Sequence, residues 1–201
     1  MNRGDNNKLA GEGVLGREVV ANRTLSCFMW AITFIGFVTL SAWVRIPLPF
    51  TPVPVTLQTF FVLLSGAMLG RKIGSLSMIG YVALGAFGIP VFTTQLGLLG
   101  PTGGYLIGFI IAAWVVGNLI ERGKSFVRCD LKWLVFSMGV GSLIILLIGM
   151  LQLSIFLNCG LKKAFLIGVL PFLPGDSFKT ILAGIVYYKM GLKPQITTDK
   201  H

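Results

Sequence analysis

Six predominantly apolar stretches follow one another along the chain, over about 24–44, 55–70, 73–89, 104–120, 133–159 and 175–190. Polar, basic or proline- and glycine-rich breaks separate them. Each is long enough for a helix across most or all of a bilayer, for which about 20 residues are needed. Several are short for a full crossing, which suits a compact bundle with packed loops. The 133–159 stretch is long enough to tilt. The pattern predicts an all-α integral membrane protein of six transmembrane helices over 24–190. It is preceded by a polar segment, 1–23, and followed by a tail, 191–201.

Composition agrees. The 201 residues are 54% hydrophobic and 12% charged, with a mean hydropathy of +0.82, against about 25% charged in soluble domains. Residues 1–23 are polar and mixed in charge, without the early apolar core of a cleaved signal peptide. Cys27, Cys129 and Cys159 are odd in number and scattered. They read as packing residues, not as a disulfide framework or a metal site. The single histidine is His201, which argues against histidine-based catalysis or metal ligation.

A net charge of +10 raises nucleic-acid binding, but the charges stand at the ends of apolar stretches instead of forming a patch. With a cytoplasmic N-terminus, thirteen of the seventeen Lys and Arg fall on the inner side, and Arg45, Lys162, Lys163 and Lys179 on the outer. That asymmetry is the positive-inside signal. It predicts cytoplasmic termini. The inner connections are then Arg71–Lys72 and a basic loop over 121–132. The outer ones, "RIPLPFTPVP", "PVFTTQLGLLGPTGG" and "GLKKAFLIGVLPFLPGDS", are too apolar for solvated linkers. The four prolines of the first make it stiff and non-helical. Irregular backbone at a membrane is tolerated where it packs on protein or lines a cavity, so a ligand is expected to approach from outside.

The acids sharpen this expectation. Six of seven lie in the inner parts, and Asp176 alone lies on the outer side. Lys179, three residues on, is the one basic residue well inside a predicted span. The spacing places both on one helix face, after a Pro174–Gly175 break. Two readings stand side by side: a helix cap with a lysine reaching outward, or a buried pair that holds a ligand. Asp offers acceptors and Lys donors, a set that suits a cyclic urea, and Lys179 equally suits a ligand carboxylate. Gln58, near the outer start of the second stretch, fits either helix–helix hydrogen bonding or the same site. Tyr105 fits either an interfacial belt or the site. Trp30, Trp43, Trp114 and Trp133 read as interface anchors. "GLLGPTGGY" lacks the Lys-Ser/Thr ending of a phosphate loop, so no nucleotide site is assigned.

Four segments in order, "IPLPFTPVPVTLQTFFVLLSGAMLG" (46–70), "YVALGAFGIPVF" (81–92), "GPTGGYLIGF" (100–109) and "GVLPFLPGDSFK" (168–179), resemble the BioY family. Its members are biotin-specific S components of energy-coupling factor (ECF) transporters. The resemblance spans roughly residues 40–190. It implies a six-helix fold with a biotin site near the extracellular face, closed by the outer loops. The implied partners are a transmembrane coupling subunit and a pair of ATPases that use the ATP, with no cofactor or metal in this chain. Residue by residue, it implies that Asp176, Lys179, Gln58 and Tyr105 contact the ligand. Two departures stand out. The shorter "TTQLGLL" (93–99) replaces a glycine-rich loop, leaving Thr93, Thr94 and Gln95 as candidates for a missing contact. Leu106 stands where some members carry arginine. On the first helix, Cys27 and Ala31 form a small-xxx-small pair that fits either docking of the coupling subunit or packing within the chain.

The expected function is biotin capture and uptake across the cytoplasmic membrane of a prokaryote. One alternative is an S component for another small vitamin. A second is a stand-alone secondary transporter with Asp176 as proton relay. A membrane enzyme is disfavoured, since the spans lack histidine, paired carboxylates or a reactive-cysteine setting.

Overall fold

A run of twenty uncharged residues, Thr24–Trp43, forms helix α1. The structure, a computed structural model, describes residues 24–94, 96–126 and 130–190. The segments 1–23 and 191–201, Gln95 and Cys129 lie outside the described residues. Phe34, Val38 and Ala42, four apart and so on one stripe, are the buried face of α1. Phe37 stacks on Phe61 at 5.3 Å, and Ile35 lies against Gly80. Leu25, Phe28, Ile32, Leu40 and Trp43 are exposed, as expected of a helix in lipid.

The proline loop is non-helical, as expected, and forms an antiparallel hairpin. Strand β1 (Arg45–Leu48) pairs with β2 (Thr51–Thr56), with Arg45 opposite Thr56 and Leu48 opposite Thr51. Prolines two residues apart remove donors from one side of a strand only, and a two-stranded ribbon has an unpaired side to spare. Pro47 sits where the register slips, between Ile46 and Leu48. Thr51 and Val53 point inward and are buried.

Helix α2 (Gln58–Ala86) is folded back on itself at Gly70, whose φ of 77° and ψ of 176° break the helix. A straight helix would hold residues 58 and 81 about 35 Å apart, yet Gln58 Nε2 donates to the Tyr81 hydroxyl at 2.7 Å. Two arms, 58–69 and 71–86, therefore run antiparallel, as the expected stretches 55–70 and 73–89 do. The positive φ at Gly70 selects glycine. At Gly66 the reason is closeness: a Cβ there would stand 2.5 Å from the Ala113 carbonyl oxygen. The turn is fastened by Glu121, whose Oε1 accepts from the Arg71 backbone N–H at 2.9 Å, while Oε2 lies 3.3 Å from Arg71 Nε.

After a short 3₁₀ turn, Gly97–Leu99, come α3 (Gly103–Phe126), α4 (Leu131–Phe156), α5 (Leu161–Gly168) and α6 (Leu173–Lys189). The basic connection expected over 121–132 is mostly helical, because α3 runs on to Phe126 and α4 starts at Leu131. Likewise, the third outer loop contains α5, which meets α6 at 55° across a short break. Pro171 lies in the break, and Pro174 stands in the first turn of α6, where a missing backbone donor is tolerated. Among the described residues, four helices are long and apolar enough to cross a membrane, five if α5 and α6 form one bent span. With α2 folded into two arms, the bundle holds six helical segments when α5 and α6 are taken as one. This is a multi-pass membrane protein. Helix α3 packs on α2 and α4, and α6 closes the bundle against both α2 and α4.

Candidate functional site

The turn at Gly70 marks one end of the bundle, and a narrow cleft marks the other. Residues from β2, the start of α2, the loop at 91–94, the start of α3, α4 and α6 line it. Its empty space, open solvent at the mouth included, is about 490 Å³. Val53, Leu106, Phe109, Ile145, Leu146 and Phe172 make its apolar walls. Leu106, where the resemblance led one to look for arginine, is one of those walls.

Helix α6 carries the charges into this cleft. Lys179 Nζ lies 2.8 Å from Asp176 Oδ1, and the residues are only 8% and 4% exposed. Asp176 is not a cap. The helix begins at Leu173, and the Asp176 backbone N–H already donates to the Phe172 carbonyl at 2.8 Å. Nor does Lys179 reach outward to water. Two charges withdrawn from solvent cost more than their attraction returns unless further polar partners join. Asp176 Oδ2 and the remaining Lys179 hydrogens have no partner among the described residues. The pair therefore keeps hydrogen-bonding capacity at the wall of the cleft.

Gln58 and Tyr105 also line the cleft. Tyr105 is buried, not placed in an interfacial belt. Its ring rests on Gly149 of α4, and its hydroxyl donates to the Gly168 carbonyl of α5 at 2.6 Å. It thus fixes the lead-in to α6. Tyr105→Phe is expected to cost about 1–2 kcal/mol of stability, because a buried carbonyl loses its donor. A lower unfolding temperature of the purified protein in detergent would show this.

The loop at 91–94 contributes Thr93, whose hydroxyl donates to Gln58 Oε1 at 3.0 Å. The loop is tied to the hairpin by Arg45, which donates to the Thr93 carbonyl at 2.7 Å. Thr94 does not line the cleft. Its hydroxyl meets that of Thr102 at 3.0 Å, and Thr102 does line it. Gln95 lies outside the described residues. Cys27 and Ala31 are half-buried on α1, and neither lines this cleft.

Sequence reasoning passed over Thr59, Thr102, Phe172 and Tyr81. Thr59 adjoins Gln58, and Thr102 lies inside the "GPTGGY" segment, so proximity to a chosen residue was the available signal. Tyr81 gave a different one: a polar-tipped ring in the middle of an apolar stretch, where no interface explains it.

Comparison with known proteins agrees with this fold. The model of the BioY family matches residues 17–193. The chain is 40% identical over 161 residues to the biotin transporter BioY of Thermotoga maritima, covering 78% of this chain and 90% of that one. It is 45% identical over 150 residues to the probable biotin transporter BioY of Pyrococcus horikoshii, covering 73% and 85%. Among solved structures, it is similar to the S-component for biotin from an ECF-type ABC transporter. There the TM-score is 0.77 at 26% identity, over 85% of this chain and 93% of that one.

Proposed function

The chain belongs to the BioY family, and on that premise we propose that it captures biotin as the S component of an ECF-type transporter. One observation carries the reading to these residues: the buried Asp176–Lys179 pair, with unused hydrogen-bonding capacity, in a cleft beneath the β1–β2 hairpin. A cyclic urea supplies two N–H donors and a carbonyl acceptor, while Asp176 Oδ2 is an acceptor and Lys179 a donor. The apolar walls suit the thioether ring and the aliphatic chain of the vitamin. Selectivity comes from the cost of leaving buried polar groups unpaired when an analogue lacks the urea.

The subunit does no covalent chemistry. Energy enters through partners, a transmembrane coupling subunit and two ATPases, with α1 and its Cys27–Ala31 face as the docking surface. The cleft faces the outside of the cytoplasmic membrane and both termini face the cytoplasm, in line with the charge asymmetry. Binding of Asp176 and Lys179 to biotin, with Gln58, Tyr105 and the Thr94–Thr102 pair in support, completes the site.

Calorimetric titration of the purified chain tests capture: biotin binds, while vitamins without a cyclic urea bind at least about a hundredfold more weakly. Equal affinity for another vitamin would move the substrate assignment. Uptake in cells should need the coupling subunit and ATPases and survive a protonophore as long as ATP is maintained. Uptake that collapses with the proton gradient would instead favour a secondary transporter with Asp176 as relay.

A further inference from the structure

At the end of the cleft where α2 begins, the hydrogen bonds have a fixed direction. Tyr81 is fully buried, and its hydroxyl lies 2.9 Å from the Val91 carbonyl oxygen. A carbonyl only accepts, so the single tyrosine proton is committed there. Toward Gln58, 2.7 Å away, the hydroxyl can only accept. That settles which end of the Gln58 amide faces Tyr81: the NH₂ group. The carbonyl oxygen Oε1 then faces the other way, where it accepts from Thr93 at 3.0 Å and from Thr56 at 3.1 Å. Thr56 is itself held in place, since its Oγ1 accepts from the Gln58 backbone N–H at 3.4 Å.

We propose that Tyr81 is a positioning residue that sets the hydrogen-bond polarity of the cleft through Gln58, so that a carbonyl oxygen is selected there. Gln58 Nε2 carries two hydrogens. Tyr81 takes one, and the other has no partner among the described residues, while Gln58 lines the cleft. A ligand therefore meets a donor at this end, and an acceptor, Asp176, beside a second donor, Lys179, at α6. An amide free to turn over would offer its oxygen as readily as its nitrogen. Held by Tyr81, it offers only N–H. The ring of Tyr81 packs edge-on against Phe92 at 5.7 Å, so Tyr81→Phe removes the lock and keeps the packing.

This inference rests on biotin as the ligand, whose urea oxygen, with two lone pairs, would accept from Gln58 as well as from Lys179. The discriminating probe is 2-iminobiotin, whose cyclic guanidine, protonated near neutral pH, carries only N–H donors in place of that oxygen. Competition binding on the purified full chain in detergent gives the affinity ratio of biotin to 2-iminobiotin. In Tyr81→Phe the amide can turn its oxygen to the imino group, and the ratio is expected to fall about tenfold or more relative to the unsubstituted chain. Gln58→Glu, with Tyr81 in place, presents acceptors only, and should move the ratio the same way. A role of Tyr81 in packing alone would weaken both ligands equally and leave the ratio where it was. An unmoved ratio in either folded variant, with the unsubstituted chain binding biotin, overturns this inference and leaves the proposed function standing. An unsubstituted chain that does not bind biotin overturns both.

Discussion

Lys179→Met is expected to weaken biotin binding by about 2–5 kcal/mol, roughly 30-fold to several thousand-fold. Methionine keeps the apolar stem but removes the ammonium that lies 2.8 Å from Asp176 Oδ1. Two losses combine. The ligand loses a donor, and Asp176 is left as a carboxylate in an apolar cleft without its counter-charge. Part of the effect could therefore reach folding as well as binding, so the double variant Asp176→Asn with Lys179→Met separates them. It holds no buried charge and should unfold near the temperature of the unsubstituted chain, yet bind biotin no better than the single variant. Calorimetry on the two, with thermal unfolding in detergent beside it, decides the matter. A folded Lys179→Met protein of unchanged affinity would remove the pair from the site.

The second large effect concerns folding. Gly66 lies directly against helix α3. A Cβ there would stand 2.5 Å from the Ala113 carbonyl oxygen and 2.9 Å from the Ala113 Cα. Both obstacles are backbone, which cannot rotate out of the way. Gly66→Val must push α3 aside, at a cost of about 3 kcal/mol or more, the upper part of the range for overpacked cores. Little or no monodisperse protein should be recovered after detergent extraction. Gly36→Val, at a position with nothing within 4 Å of an added Cβ, serves as control and should behave like the unsubstituted chain. Equal recovery of both variants would contradict the packing described for α2.

These two sites also mark how much could be read before the structure. The folding back of α2 was legible because "GRK" interrupts two apolar stretches: glycine permits the break, and adjacent charges resist burial. Asp176 and Lys179 were legible because charge is rare in such a chain. The β1–β2 hairpin was not. Prolines at alternate positions argue against a helix, but whether the segment pairs with itself depends on the register of strands that are only four and six residues long. Helix α5 was missed for a related reason: eight residues between two breaks carry too little periodicity to distinguish a helix from an apolar loop. Tyr81 illustrates a third limit. Its part depends on Val91 and Gln58 arriving from either side, and such an approach leaves no mark on spacing along the chain.

The fold-back at Gly70 has a consequence for where the cargo sits. The arm from Gly70 up to Gln58 holds twelve helical residues, a rise of only about 18 Å. On the proposed orientation, with that turn at the inner surface of a hydrocarbon layer ~30 Å thick, the Gln58 end of the cleft would lie roughly 12 Å below the outer headgroups. A vitamin seated there, as proposed, would already have left the aqueous phase and travelled part of the way inward. Affinity alone would accomplish that portion of the journey, and the proposed ATP-consuming partners would be left to move a passenger already below the waterline.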